Sequence, residues 1–101
     1  RNAQMIALAA EEMISNIITY GYNSHKQNFI DINFKIISDK IVLRIRDDGV
    51  PFDPTKYDFD NNENYSTMGI KMVLDLTDNM QYMRIINLNN TTIEIKLKES
   101  V

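Results

Sequence analysis

Asp47 is the first residue whose type and position point to chemistry. Alternation through Ile41, Leu43 and Ile45 puts its carboxylate on the same face as those apolar side chains, and a charge held there needs a partner. It heads the run Asp47-Asp48-Gly49-Val50-Pro51, in which a glycine allows backbone or ligand to come close. The carboxylate either caps a turn, the usual work of Asp beside Gly, or accepts an N–H from a ligand. Glu12 and Asn16 form a second constellation: four residues apart on a helix, they project from one face with Ser15 and Thr19 beside them. Hard cations such as magnesium take oxygen ligands and keep waters, so an Asn oxygen can hold the ion while a neighbouring Glu polarises a water or hydroxyl. The plain alternative is a solvated polar face. In Ser66-Thr67-Met68-Gly69-Ile70, small or flexible residues lead into a helix, whose free N–H groups and positive dipole end favour phosphate. Ordinary N-capping by Ser66 or Thr67 would use the same residues with no ligand present.

The elements that must position these groups are legible from periodicity. From Ala3 to about Tyr20 apolar residues recur at helical spacing (Met5, Ile6, Ala9, Met13, Ile17), and Gly21 ends the pattern. Phe29 to Ile37 alternates, with Ile30, Ile32, Phe34 and Ile36 on one face, as in a half-buried strand. Ser38-Asp39-Lys40 reads as a hairpin turn into a second strand carrying Ile41, Leu43 and Ile45. Pro51 to Tyr65 has no periodicity and reads as a long loop, a length that in compact domains goes with function or mobility. Met68 to Leu76 resumes helical spacing, and Met80 to Leu88 and Thr91 to Leu97 form a second hairpin around Asn87 to Asn90. Helices that cover one face of such a mainly antiparallel sheet give an α+β fold, a two-layer α/β sandwich. The five tyrosines read as core-edge and loop packing rather than as a stacking platform.

Composition narrows the chemistry. The chain has 101 residues, 44% hydrophobic and 25% charged, with three Gly and two Pro, which suits one globular domain with one modest core. A net charge of -3 supplies no basic field for nucleic acid. With no cysteine and a single His25, thiol chemistry, a disulfide framework and a His-based triad or metal cluster are excluded or disfavoured. No apolar run is long enough to span a bilayer and no signal peptide opens the chain, so a cytoplasmic protein with no membrane partner is expected.

Taken in order, Glu12-x-x-x-Asn16, Asp47-x-Gly49 and Met68-Gly69 at a helix start resemble the N box and the two glycine boxes of the GHKL, or Bergerat-fold, ATPase and kinase superfamily. The likeness is strongest to the anti-sigma-factor serine/threonine kinases, through the runs Asn16-Ile17-Ile18-Thr19-Tyr20-Gly21-Tyr22, Arg46-Asp47-Asp48-Gly49 and Ser66-Thr67-Met68-Gly69. It covers nearly the whole chain. The resemblance implies that Asp47 accepts the adenine amino N–H and that Gly49 lets the adenine edge approach. It further implies Asn16 as magnesium ligand, Glu12 as general base, and Ser66, Thr67, Met68 and Gly69 as the turn that meets the phosphates. Asn90-Thr91-Thr92-Ile93 is similar to the family's glycine-threonine-threonine run, and alternation selects Thr91, on the face of Ile93 and Ile95, as the residue that helps hold adenine.

ATP, magnesium and a regulatory protein partner, a sigma factor or an anti-anti-sigma-like protein, are the ligands and partner so implied, with a homodimer left open. The chain departs from those relatives at Thr67, where they carry glycine, at Tyr20, where many carry histidine, and in a loop whose sole cation is Lys56. A Cβ at Thr67 restricts φ, which keeps a second reading in view: a degenerate, non-catalytic regulatory or interaction domain that binds nucleotide weakly or not at all. The family's first strand and helix are not expected within residues 1–101. Residues 1–101 therefore read as a single histidine kinase-like ATP-binding domain or a piece of a longer one.

Overall fold

The computed structural model describes residues 2–21, 29–57 and 68–97. Helix α1 spans Asn2–Asn16 and passes into one wider, π-helical turn over Ile17–Gly21. The change falls where three β-branched residues, Ile17, Ile18 and Thr19, follow one another and crowd a regular helix. Strands β1 (Ile30–Ile37) and β2 (Lys40–Asp47) form the first hairpin, helix α2 covers Met68–Leu76, and β3 (Asn79–Ile85) and β4 (Leu88–Lys96) form the second. The sheet order is β1-β2-β4-β3, every pair antiparallel. The architecture is thus the expected α+β sandwich, one antiparallel sheet with two helices on one face.

The core lies between the helices and the two central strands. Ala9, Met13 and Ile17 from the first helical segment meet Ile70 and Val73 of α2 over Leu43, Ile45, Ile93 and Ile95. A fully buried Ile or Leu contributes about 1.5–3 kcal/mol relative to exposure, so this cluster is what fixes the helix layer over β2 and β4. β1 departs from the half-buried pattern expected of it. Its register, Ile32↔Ile45, Phe34↔Leu43 and Ile36↔Ile41, does turn these side chains to the core side of the sheet. Yet Phe34 is 65% and Ile36 66% exposed, and only Ile30 of this strand packs against the core. β1 is an edge strand, beyond the reach of α1 and α2.

Both hairpin turns are tighter than expected. Ser38 and Asp39 suffice for the first, with Ser38 at φ 54° and Lys40 already in β2. In the second, the turn is Ile86-Asn87 rather than Asn87 to Asn90, with φ of 47° and 61°. Positive φ at both central residues is the backbone that matches the right-handed twist of the flanking strands. Asn89 and Asn90 consequently lie inside β4.

On the outer face, cross-strand ion pairs join Arg46 to Asp31 and Lys40 to Glu94. The Lys40 ammonium, and secondarily the Asn79 amide, hold the Glu94 carboxyl below its ordinary pKa. A depressed folded-state pKa means that the pair stabilises above the unfolded-state value and that this contribution fades as pH falls through the folded one. Glu94→Gln is therefore expected to leave the chain slightly less stable at neutral pH and to flatten the acid limb of its stability profile, read from denaturant midpoints across pH. An unchanged acid limb would show that this exposed pair carries no net stabilisation.

Candidate functional site

The β2–β4 register brings the chemistry-bearing residues of two strands to one end of the sheet. Asp47 pairs with Asn89, and Ile45 with Thr91. Asp47, Asn89 and Thr91 are each 4% exposed or less, and alternation turns them to the helix side. Across from them, Asn16 is the last residue of α1 and is itself buried. Between these four lies a cavity of about 90 Å³, walled by Met13 and Ile17 from the first helix and by Val50, Pro51, Phe52 and Pro54 from the chain after β2. An apolar slot with a few convergent polar groups is the usual form of a site for a small planar ligand.

The loop after β2 is more ordered at its start than its composition suggests. Asp53 accepts from the Thr55 N–H at 2.9 Å through its carboxylate, and its carbonyl accepts from Lys56 N at 3.2 Å. This Asx turn seats Pro54 fully inside, and the Phe52 and Tyr57 rings pack with centroids 5.3 Å apart. The turn thereby builds one wall of the cavity.

Asp47 caps the turn that follows β2 and at the same time lines the cavity. Its Oδ1 accepts from Gly49 N at 2.9 Å, which is the turn cap, and from Asn89 Nδ2 at 3.0 Å. Among the described residues no group donates to Oδ2, and the side chain lines the cavity. Asn16 Oδ1 is buried and has no hydrogen-bond partner among the described residues. A buried acceptor without a donor costs about 1–3 kcal/mol, so its retention points to an occupant that supplies the missing partner. A hard cation, which takes oxygen ligands, fits this atom. Thr91 faces the cavity and Thr92 the opposite side of the sheet.

Glu12 lies apart from the cavity and against the start of α2. A Cβ built on Gly69 would fall 1.8 Å from Glu12 Oε2, so only glycine allows this approach. The carboxylate is half-buried there rather than on a solvated face, while Ser15 and Thr19 are exposed. Met68, 61% exposed, does not line the cavity. Ser66 and Thr67 lie outside the described residues. Gly69→Ala should raise helix propensity by up to about 1 kcal/mol and force the flexible end of Glu12 aside. The expected result is a melting temperature that is kept or raised, with Glu12 displaced from α2. A clear drop in melting temperature would show that the backbone, not the Glu12 side chain, has to yield.

Three residues of this region carried no motif: Asn89, which bonds Asp47, and Arg84 and Tyr82 of β3, both of which bond Asn89. Tyr82 thus has a specific hydrogen-bonding task beyond edge packing. Alternation from Thr91 back to Asn89 was the available signal, hidden by reading Asn89 as turn.

The model of the histidine kinase-like ATPase domain family matches residues 1–97. No curated protein is significantly similar to this chain in sequence. Among solved structures, the histidine kinase domain of the blue-light-activated histidine kinase of Erythrobacter litoralis is similar over 92% of this chain, with 16% identity and a TM-score of 0.67. The histidine kinase AdeS of Acinetobacter baumannii is similar over 95% of it, with 18% identity and a TM-score of 0.68. The chain spans 43% and 47% of those two longer chains. Among the described residues no helix is long and apolar enough to cross a membrane. At such identities the two structures establish the fold, and the family match over residues 1–97 establishes the rest: the chain belongs to the histidine kinase-like ATPase domain family.

Proposed function

We propose that this chain is a magnesium-dependent ATP-binding domain of the anti-sigma-factor kinase type, acting in the cytoplasm on a regulatory protein partner by serine/threonine phosphorylation or by nucleotide-gated docking. The observation that carries the nucleotide reading is Asp47: a buried carboxylate, one oxygen satisfied and the other without a donor among the described residues, in the wall of an apolar cavity. Such an acceptor suits the amino N–H of adenine, with Thr91 beside it and the Gly49 backbone at the ring's edge. Ile17 and Phe52, which line the cavity, would cover the ring faces with apolar surface.

Asn16 Oδ1 is the atom that would hold magnesium, whose charge, when bound, offsets that of the phosphate oxygens. Glu12, against Gly69 at the start of α2, would take the proton from an attacking hydroxyl. The backbone of Met68 and Gly69 would meet the phosphates, together with Ser66 and Thr67. The partner reading rests on the runs quoted from the sequence, chiefly Asn16 to Tyr22 and Arg46 to Gly49.

Two measurements test the proposal. Calorimetric titration with ATP and ADP, with and without magnesium, should give binding that magnesium strengthens for ATP; no binding of either nucleotide removes the reading. Incubation with γ-labelled ATP and sigma-regulatory proteins should then give acid-stable phosphoester on Ser or Thr. Acid-labile label, as on a histidine, would instead assign the domain to a histidine-phosphorylating protein.

A further inference from the structure

Among the described residues Asn89 makes more side-chain hydrogen bonds than any other residue of the pocket, and none of the motifs includes it. It is 4% exposed. Its Oδ1 accepts from Arg84 Nη1 at 3.0 Å and from the Tyr82 hydroxyl. Its Nδ2 donates to Asp47 Oδ1 at 3.0 Å and to Val50 O at 2.9 Å, with Gly49 O at 3.4 Å. Arg84 Nη1 also donates to Gly49 O at 2.9 Å, tying β3 to the turn that follows β2.

These partners leave one orientation for the amide. A guanidinium can only donate, so a flipped Asn89 would set its NH2 against Arg84 and its oxygen against a carboxylate and two carbonyls. The donor end of Asn89 is thus fixed on Asp47 from behind, by two residues of β3. With Gly49 N it occupies Oδ1 from two sides, which stops the carboxylate from rotating and leaves Oδ2 as the acceptor open to a ligand.

We infer that Asn89 is a positioning residue for base recognition: acting through Asp47, with Arg84 and Tyr82 holding its orientation, it makes the pocket select a ring with an exocyclic amino donor over one with a carbonyl at that place. The inference rests on the ATP reading above. Its chemical consequence is discrimination between ATP and its hypoxanthine analogue ITP, whose carbonyl oxygen would face Oδ2, acceptor against acceptor. With Asn89 gone, the carboxylate is free to turn, and its grip on the adenine amino group weakens.

The test is calorimetric titration of ATP and ITP, with magnesium, against the unmodified chain, Asn89→Ala, and the double variant Tyr82→Phe with Arg84→Gln. The unmodified chain is expected to prefer ATP. Asn89→Ala should weaken ATP by about tenfold, the loss of one charge-assisted hydrogen bond, and ITP far less, so the preference shrinks. The double variant keeps Asn89 but frees its amide to flip, and should shrink the preference in the same direction by a smaller factor. Should Asn89→Ala not fold, the double variant decides alone. Equal weakening of ATP and ITP would make Asn89 a structural residue only and overturn the inference, as would ATP binding unchanged in both variants. An unmodified chain that binds neither nucleotide overturns the ATP reading, and this inference with it.

Discussion

Asp47→Asn is expected to fold like the parent chain and to lose about 10- to 150-fold in ATP affinity, the worth of a charge-assisted hydrogen bond of about 1.5–3 kcal/mol. The geometry says why the fold survives. Gly49 N and Asn89 Nδ2 both donate to Oδ1, at 2.9 and 3.0 Å, so the single oxygen of the new amide is drawn to that place. Its NH2 then stands where Oδ2 stood, a donor facing the adenine amino donor. The same substitution suits a carbonyl on the ring, so ITP should bind the variant at least as well as ATP does. Asp47→Ala is a harsher change, because it removes the acceptor of the buried Gly49 N–H and one of the acceptors of Asn89 Nδ2, and should cost stability as well as binding. Parallel titrations of ATP and ITP, with a thermal melt of each variant, separate these effects. ATP binding at the parent level in Asp47→Asn would mean that the carboxylate serves the turn alone.

Much of the fold was written in alternation and helical spacing because one face of each element is buried. Ile41, Leu43 and Ile45 run directly into Asp47, and their common burial is what makes an inward carboxylate readable from the sequence. Thr91 was separable from Thr92 on the same ground. β1 shows where this signal fails. Its alternation correctly gives the face, but a face is buried only if something covers it, and Phe34 and Ile36 stay open because the helix layer ends over β2. Coverage is a property of the packed layers and is not encoded in a strand's own pattern.

The site was legible in its motifs and illegible in its support. Asn87 to Asn90 looks like a turn because asparagine tolerates positive φ, yet the residue that shares the turn with Asn87 is Ile86, which sequence preferences alone would never put at φ 47°. Pairing decides it: Ile85↔Leu88 closes the hairpin, and every later residue of β4 follows in register. That three-residue shift moves Asn89 from turn to strand, opposite both Asp47 and Arg84. The Asn89 bond that holds Asp47 then comes from 42 residues away in the chain, and the Arg84 bond that holds the Gly49 carbonyl beside it from 35, relations that no local window contains.

Asn16 and Glu12, one helical turn apart on α1, are expected to fail in different ways when replaced. Asn16 Oδ1 is buried and unpartnered among the described residues, a cost of about 1–3 kcal/mol. Asn16→Leu keeps the branching at Cγ and replaces the orphan by a methyl beside Met13 and Ile17. Without ligand the variant should therefore melt higher, by about 4–8 °C for each kcal/mol recovered in a domain of this size. The gain in stability should come with loss of the magnesium dependence of ATP binding, the trade expected where a site keeps a polar group for its ligand. Glu12→Ala should do neither. Its carboxylate sits half-buried against Gly69, away from the cavity, so nucleotide affinity is kept while phosphoryl transfer falls by about 10²- to 10⁴-fold, the usual cost of removing a general base. Thermal melts without ligand, ATP titrations with and without magnesium, and single-turnover transfer from labelled ATP read the three quantities separately. An Asn16→Leu protein that melts lower than its parent and still responds to magnesium would show that Oδ1 finds a partner within the chain, and the metal would have to be assigned to other oxygens.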